Sequence, residues 1–104
     1  MLRSALLNLI MNAAQAMPSG GKITISALQN NKKLEIRVID EGSGIPAEHL
    51  EKIFSPFFTT KPKGNGFGLA EVHKIVQAHN GIIEVTSEVK KGTTFTLKLP
   101  MTNR

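Results

Sequence analysis

The stretch GNGFGLA, Gly64 to Ala70, decides the fold. It sets Gly64, Gly66 and Gly68 at alternate positions directly before LAEVHKIVQAHN, whose apolar residues recur at helical spacing. Glycine is the residue for backbone that must bend sharply or approach a ligand closely. Glycines that lead into a helix also bare its unpaired N–H groups and the positive end of its dipole, a natural cradle for phosphate. A second glycine turn, DEGSGIP (Asp40–Pro46), lies upstream. Neither turn is a Walker A loop, because no Gly-Lys-Ser/Thr follows. Neither is a dinucleotide fingerprint, because the spacing is G-x-G-x-G and a loop, not a strand, comes before it. Taken singly, each is compatible with a tight turn. Taken together, they suggest a ligand with phosphates at one end and a flat ring at the other.

Outward from these turns, the chain alternates helix and hairpin. Leu2 to Met17 reads as a helix, with Leu2, Leu6, Leu9, Ile10, Ala13 and Met17 on one face and Ser4, Asn8, Asn12 and Gln15 on another. No N-cap precedes it, so the domain is expected to be clipped at its N-terminus. PSGG ends the helix. KITISAL then alternates, with Ile23, Ile25 and Ala27 sharing a face, and KLEIRVID makes the second strand of a hairpin. PAEHLEKIF reads as a short helix with Pro46 in its first turn. Residues 55–68 form a long loop of the functional or mobile kind. Leu69 to His79 is a helix with Leu69, Val72, Ile75, Val76 and His79 on one side, and Asn80-Gly81 stops it with a left-handed cap. IIEVTSE and TTFTLKLP are two more strands. The order α-β-β-α-α-β-β implies an α+β sandwich, a mixed and mainly antiparallel sheet with helices on one face.

With 104 residues, 40 % apolar and 20 % charged, the chain has the composition of one globular domain. There is no cysteine, so disulfides and thiolate metal sites are excluded and an intracellular setting is favoured. No apolar run is long enough to span a membrane. MLRSALLNLIMNAAQAM is not a signal peptide, because Asn and Gln interrupt it and no small-residue cleavage site follows. The net charge of +5 suits an anionic ligand. Nucleic acid is not the expected one, since Lys and Arg are scattered and the aromatics are gathered in IFSPFF.

Asp40 ends a strand beside glycines that let a flat ligand approach. A carboxylate there accepts a hydrogen bond from an exocyclic amine, as in adenine, and repels the carbonyl that guanine presents. Asn8 and Asn12 share a helix face, and carboxamide oxygens suit Mg²⁺. Lys61 and Lys63, in the long loop, are placed to close on phosphates. The bland alternatives are two asparagines facing water and a solvated loop.

Four stretches in order resemble the boxes of one family. LLNLIMNAAQA (6–16) resembles the N box, DEGSGIP (40–46) the G1 box, IFSPFFTTK (53–61) the F box and GNGFGLA (64–70) the G2 box. These mark the ATP-binding catalytic (HATPase_c) domain of sensor histidine kinases, in the GHKL superfamily, and the FFTTK form is similar to the nitrogen-regulation and sporulation kinases. The resemblance covers residues 1–104 nearly throughout. It implies a Bergerat fold, a two-layer α/β sandwich, here lacking the strand and connector that precede the N box. It implies ATP and Mg²⁺ as cofactors, with Asn12 as metal ligand and Asn8 and Lys61 beside it in the catalytic set. Asp40 would take the adenine amine, with Gly42, Gly44 and Ile45 around it. Phe54, Phe57 and Phe58 would anchor a lid, with Thr59 and Thr60 following. Gly64, Asn65, Gly66, Phe67, Gly68 and Leu69 would line the phosphate end, and Thr94 would complete the nucleotide site. Asn65 and Phe67 depart from the family's usual G-T-G-L-G-L.

The implied activity is transfer of the γ-phosphoryl of Mg·ATP to a histidine on a separate dimerisation domain, with a response regulator downstream and a homodimeric full-length protein. Its place is cytoplasmic, as a free protein or as the cytoplasmic part of a membrane-bound bacterial sensor. The superfamily's ATPases carry a Glu where this chain has Asn8, and a carboxamide is no general base. His49, His73 and His79 are followed by Leu, Lys and Asn rather than by the acidic residue of a phosphoacceptor. The rival readings are a stand-alone GHKL-type ATPase and a non-enzymatic protein-binding module.

Overall fold

The computed structural model describes residues 2–50, 52–53 and 68–100. Its elements are α1 (Leu2–Gln15), β1 (Ile23–Asn30), β2 (Lys33–Asp40), α2 (Ala47–Leu50), α3 (Gly68–Ala78), β3 (Ile82–Glu88) and β4 (Gly92–Pro100). The expected order holds. The sheet has the strand order β1-β2-β4-β3. The expected mixed sheet is, among the described residues, antiparallel at every pairing. The cause is local: β1–β2 and β3–β4 are both hairpins, and they join side by side through β2 and β4.

α1 stops at Gln15, two residues before the expected end. Its last turn tightens, with the Met17 N–H donating to the Ala14 carbonyl at 3.1 Å. The chain then turns through Pro18 and Ser19, where the Gly20 N–H reaches the Met17 carbonyl at 2.9 Å. α3 ends as the sequence implies. Asn80 sits at φ 60°. The Asn80 N–H donates to Gln77 and the Gly81 N–H to Val76, both at 2.9 Å. That pair of bonds is a Schellman cap.

The core lies between the helices and one face of the sheet. Ala5, Leu9 and Ala13 of α1 and Val72, Ile75 and Val76 of α3 pack with Ile36, Val38, Phe95, Leu97, Leu99 and Ile53. α1 presents a narrower buried stripe than its apolar residues suggest, while Leu2, Leu6 and Ile10 flank it, partly buried. Leu9 and Leu97 are fully enclosed, each contributing about 1.5–3 kcal/mol.

β1 departs from expectation. Ile23, Ile25 and Ala27 do share a face, opposite Asp40, Val38 and Ile36. Yet Ile25 is 53 % exposed, and Leu28 on the other face is 61 % exposed. β1 is an edge strand in the described sheet, and α1 lies mainly over β2. Alternation therefore marks the right face, which is partly covered at Ile23 and open at Ile25 and Ala27. Among the described residues no helix is long and apolar enough to cross a membrane.

Candidate functional site

The site begins at the end of β2. Asp40 pairs with Ile23 on one side and Thr93 on the other, and Thr93 pairs with Ser87. Residues opposite one another in an antiparallel ladder point to the same face. Ile23, Asp40, Thr93 and Ser87 thus form one row across the sheet, on the helix side. Asp40 and Thr93 are each 5 % exposed and are the buried polar residues among those described.

The Asp40 carboxylate shapes the turn that follows. Its Oδ1 accepts the Gly42 N–H at 2.8 Å, an Asx turn. The Ser43 N–H then donates to the Ala16 carbonyl at 3.3 Å, and the Ser43 carbonyl accepts the Lys90 N–H at 2.7 Å. The Ile45 N–H donates to Ser87 Oγ at 2.7 Å. Residues 40–45 are therefore held by the end of α1 and by the β3–β4 hairpin at once.

This packing explains the two glycines. A Cβ on Gly42 would stand 2.6 Å from the Ala16 Cβ. A Cβ on Gly44, which has φ +81°, would collide with the Glu88 carbonyl oxygen. The atoms that crowd them belong to the protein, a packing reason for glycine that stands beside the expected one of making room for a ligand. Glycine is needed so that the turn can nest against α1 and the hairpin.

One turn of α1 before Ala16 stands Asn12, about 6 Å back along the axis. Its Nδ2 donates to the Asn8 carbonyl at 2.8 Å. That bond orients the carboxamide. Asn8 and Asn12 are both half-buried. Ile45 and Leu69 are partly buried against the core cluster. Gly68 is the first residue of α3. Phe54, Phe57, Phe58, Thr59, Thr60, Lys61, Lys63, Gly64, Asn65, Gly66 and Phe67 lie outside the described residues.

Thr94 requires a correction. The register sets it beside Ile39 and Thr86, on the sheet face opposite Asp40. Its neighbour Thr93 occupies Asp40's row instead. The signal was present in the sequence: Phe95, Leu97 and Leu99 are the apolar alternates of the last strand, and Thr93 falls in their phase. Ser87 was also missed, because its role depends on pairing across the hairpin.

A buried carboxylate at a strand end, a glycine turn sewn to the first helix and an asparagine one turn back along that helix together fit a nucleotide-binding fold. The family model for "Histidine kinase-, DNA gyrase B-, and HSP90-like ATPase" matches residues 1–103, and the chain belongs to that family. Its similarity falls within the sensor kinases. It is 49 % identical to the sensor histidine kinase ZraS of Escherichia coli K12 over 100 residues, which is 96 % of this chain and 22 % of ZraS. It is 44 % identical to sporulation kinase D of Bacillus subtilis 168, over 96 % of this chain and 20 % of that protein. Among solved structures, full-length ShkA in complex with AMPPNP superposes with a TM-score of 0.89 at 29 % identity, covering 99 % of this chain and 22 % of ShkA. The chain spans about a fifth of the curated relatives it matches.

Proposed function

We propose that this chain is the ATP-binding catalytic domain of a sensor histidine kinase, which holds Mg·ATP for phosphoryl transfer to a histidine on a separate dimerisation domain. The observation that carries the reading is Asp40, a buried carboxylate in register with Thr93 and built into a turn with fixed backbone bonds. A carboxylate accepts hydrogen bonds and donates none. Its Oδ1 serves the turn, and the group retains further acceptor capacity for the exocyclic amine of adenine. Asn12 offers a carboxamide oxygen to a divalent cation, and the donor set suits Mg²⁺ better than a soft metal. Mg²⁺ bound there would neutralise phosphate charge. Lys61 and the glycines 64, 66 and 68 would hold the phosphate end.

Asn8 supports transfer over hydrolysis. A carboxamide takes no proton from water at neutral pH, so the domain holds ATP until an acceptor arrives, and catalysis rests on positioning and charge. In the parent protein the acceptor is a histidine of the dimerisation domain, the phosphoryl passes to a response regulator, the assembly is a homodimer, and the domain is cytoplasmic.

Titration calorimetry with Mg·ATP tests this against Asp40→Asn. The variant keeps an oxygen for the Gly42 N–H, so the turn persists, but its NH₂ meets the adenine amine donor to donor. Affinity should fall roughly 10–100-fold, the scale of a lost charge-assisted hydrogen bond and an unpaired donor. A folded Asp40→Asn that binds like the parent would remove Asp40 from the base site.

A further inference from the structure

The Ser87 side chain meets three partners near the site. Its Oγ lies 2.7 Å from the Ile45 nitrogen, 3.0 Å from the Gly92 carbonyl oxygen and 2.8 Å from Thr93 Oγ1. A hydroxyl carries one proton and two lone pairs. The Ile45 N–H can only donate, so one lone pair is used. For all three contacts to be hydrogen bonds at once, the proton must go to the Gly92 carbonyl, which can only accept. What remains for Thr93 is the second lone pair, and Thr93 must be the donor in the third contact. The Thr93 proton is thereby committed to Ser87. Toward the rest of its surroundings Thr93 Oγ1 offers lone pairs alone. It stands in register with Asp40, whose carboxylate is likewise an acceptor.

We propose that Ser87 is a positioning residue that sets base specificity: it polarises Thr93 so that the site presents two adjoining acceptors, matched to an exocyclic amine and mismatched to a carbonyl. This rests on the base-site reading given above and deepens it. Ser87 acts twice, since the same oxygen anchors the Ile45 N–H and so fixes the turn that Asp40 begins. An alanine there frees the Thr93 hydroxyl to rotate. It can then donate, and a ligand carbonyl at that position finds a partner.

The discriminating readout is a ratio of affinities. Mg·ATP and Mg·ITP differ at the six position of the ring, amine against carbonyl. Dissociation constants for both are measured by calorimetry in the parent, Ser87→Ala, Ser87→Thr and Thr93→Val. The parent should favour ATP. Ser87→Ala should narrow the ATP-to-ITP preference by about tenfold, the worth of one hydrogen bond gained or lost. Ser87→Thr retains the hydroxyl on a half-buried side chain and should restore the ratio. Thr93→Val removes the second acceptor and should narrow the ratio as well, which keeps the test decisive if Ser87→Ala does not fold. Equal loss for both nucleotides in Ser87→Ala, or an unchanged ratio in Thr93→Val, would reduce Ser87 to a structural tie and overturn the proposal. A parent that binds both nucleotides equally would instead overturn the base-site reading on which it rests.

Discussion

Replacing Gly44 by alanine should separate the two reasons for a glycine in the 40–45 turn. Gly44 has φ +81°, and Gly20 has φ +94°, so both ask an L-residue to adopt a conformation it disfavours. That strain costs about 1–2 kcal/mol per residue. The surroundings differ completely. A Cβ on Gly20 meets nothing within 4 Å, while a Cβ on Gly44 collides with the Glu88 carbonyl and comes within 2.8 Å of the Val89 Cα. Backbone atoms held in a hairpin do not step aside as a long side chain would. Overpacking of this kind adds roughly 1–3 kcal/mol. Gly20→Ala should therefore lose about 1–2 kcal/mol by the backbone term alone, and Gly44→Ala should lose more by the overpacking term. In urea the Gly44→Ala midpoint should lie about 1 M below that of Gly20→Ala. The folded fraction of Gly44→Ala should also bind Mg·ATP more weakly, because relief of the clash moves the turn that follows Asp40. Equal midpoints for the two variants would show that the turn is not wedged against the hairpin. Unchanged nucleotide affinity in folded Gly44→Ala would show that the turn does not shape the base site.

Asn12→Ala should leave stability within about 1 kcal/mol, since losing the side-chain bond to the Asn8 carbonyl is offset by a gain in helix propensity. Its nucleotide affinity should become indifferent to added Mg²⁺ or EDTA, where the parent's is not. Thr94→Val, on the far face of the sheet from Asp40, should keep Mg·ATP affinity within about twofold of the parent, inside the ±0.5 kcal/mol usual for changes away from a site; a tenfold fall in calorimetry would return Thr94 to it. Leu97→Ala opens a cavity in a fully enclosed position and should cost about 2–5 kcal/mol in chemical denaturation.

The elements were legible because the period of apolar residues reports local geometry, and α3 and β4 carry it strongly. What is covered by what is a different matter. Ile25 alternates correctly with Ile23 and Ala27, yet it stands open because exposure depends on which element lies above it, and alternation along one strand carries no such term. The site divided in the same way. Asp40 could be found from its own neighbours, a strand end followed by glycines. Thr93 required phase, which the strand itself contained, and its neighbour Thr94 was one residue out of step. A one-residue slip turns a side chain to the other face of a sheet. Ser87 required register between two strands, and no short motif encodes that. Gly42 and Gly44 were recognised as special, but the atoms that crowd them come from residues 16 and 88, distant in sequence.

The base end of the proposed site is held in place by the protein itself. The base end is fixed by backbone bonds from three directions: the Asp40 side chain itself, the carbonyl of Ala16 at the end of α1, and the Ser87 and Lys90 contacts of the hairpin. Groups held in place before the ligand arrives do not have to be ordered on binding, so more of their interaction energy appears as affinity. Asn12 is oriented by the bond from its Nδ2 to the Asn8 carbonyl, one turn back along the helix. A base end built in this way suits the proposed domain, which would recognise the same base at every turnover. On the proposed reading, rigidity at Asp40 confers selection. A stand-alone ATPase would instead need its base and water fixed at the Asn8 end. A carboxamide there, with no proton-accepting group in its place, weighs against that rival.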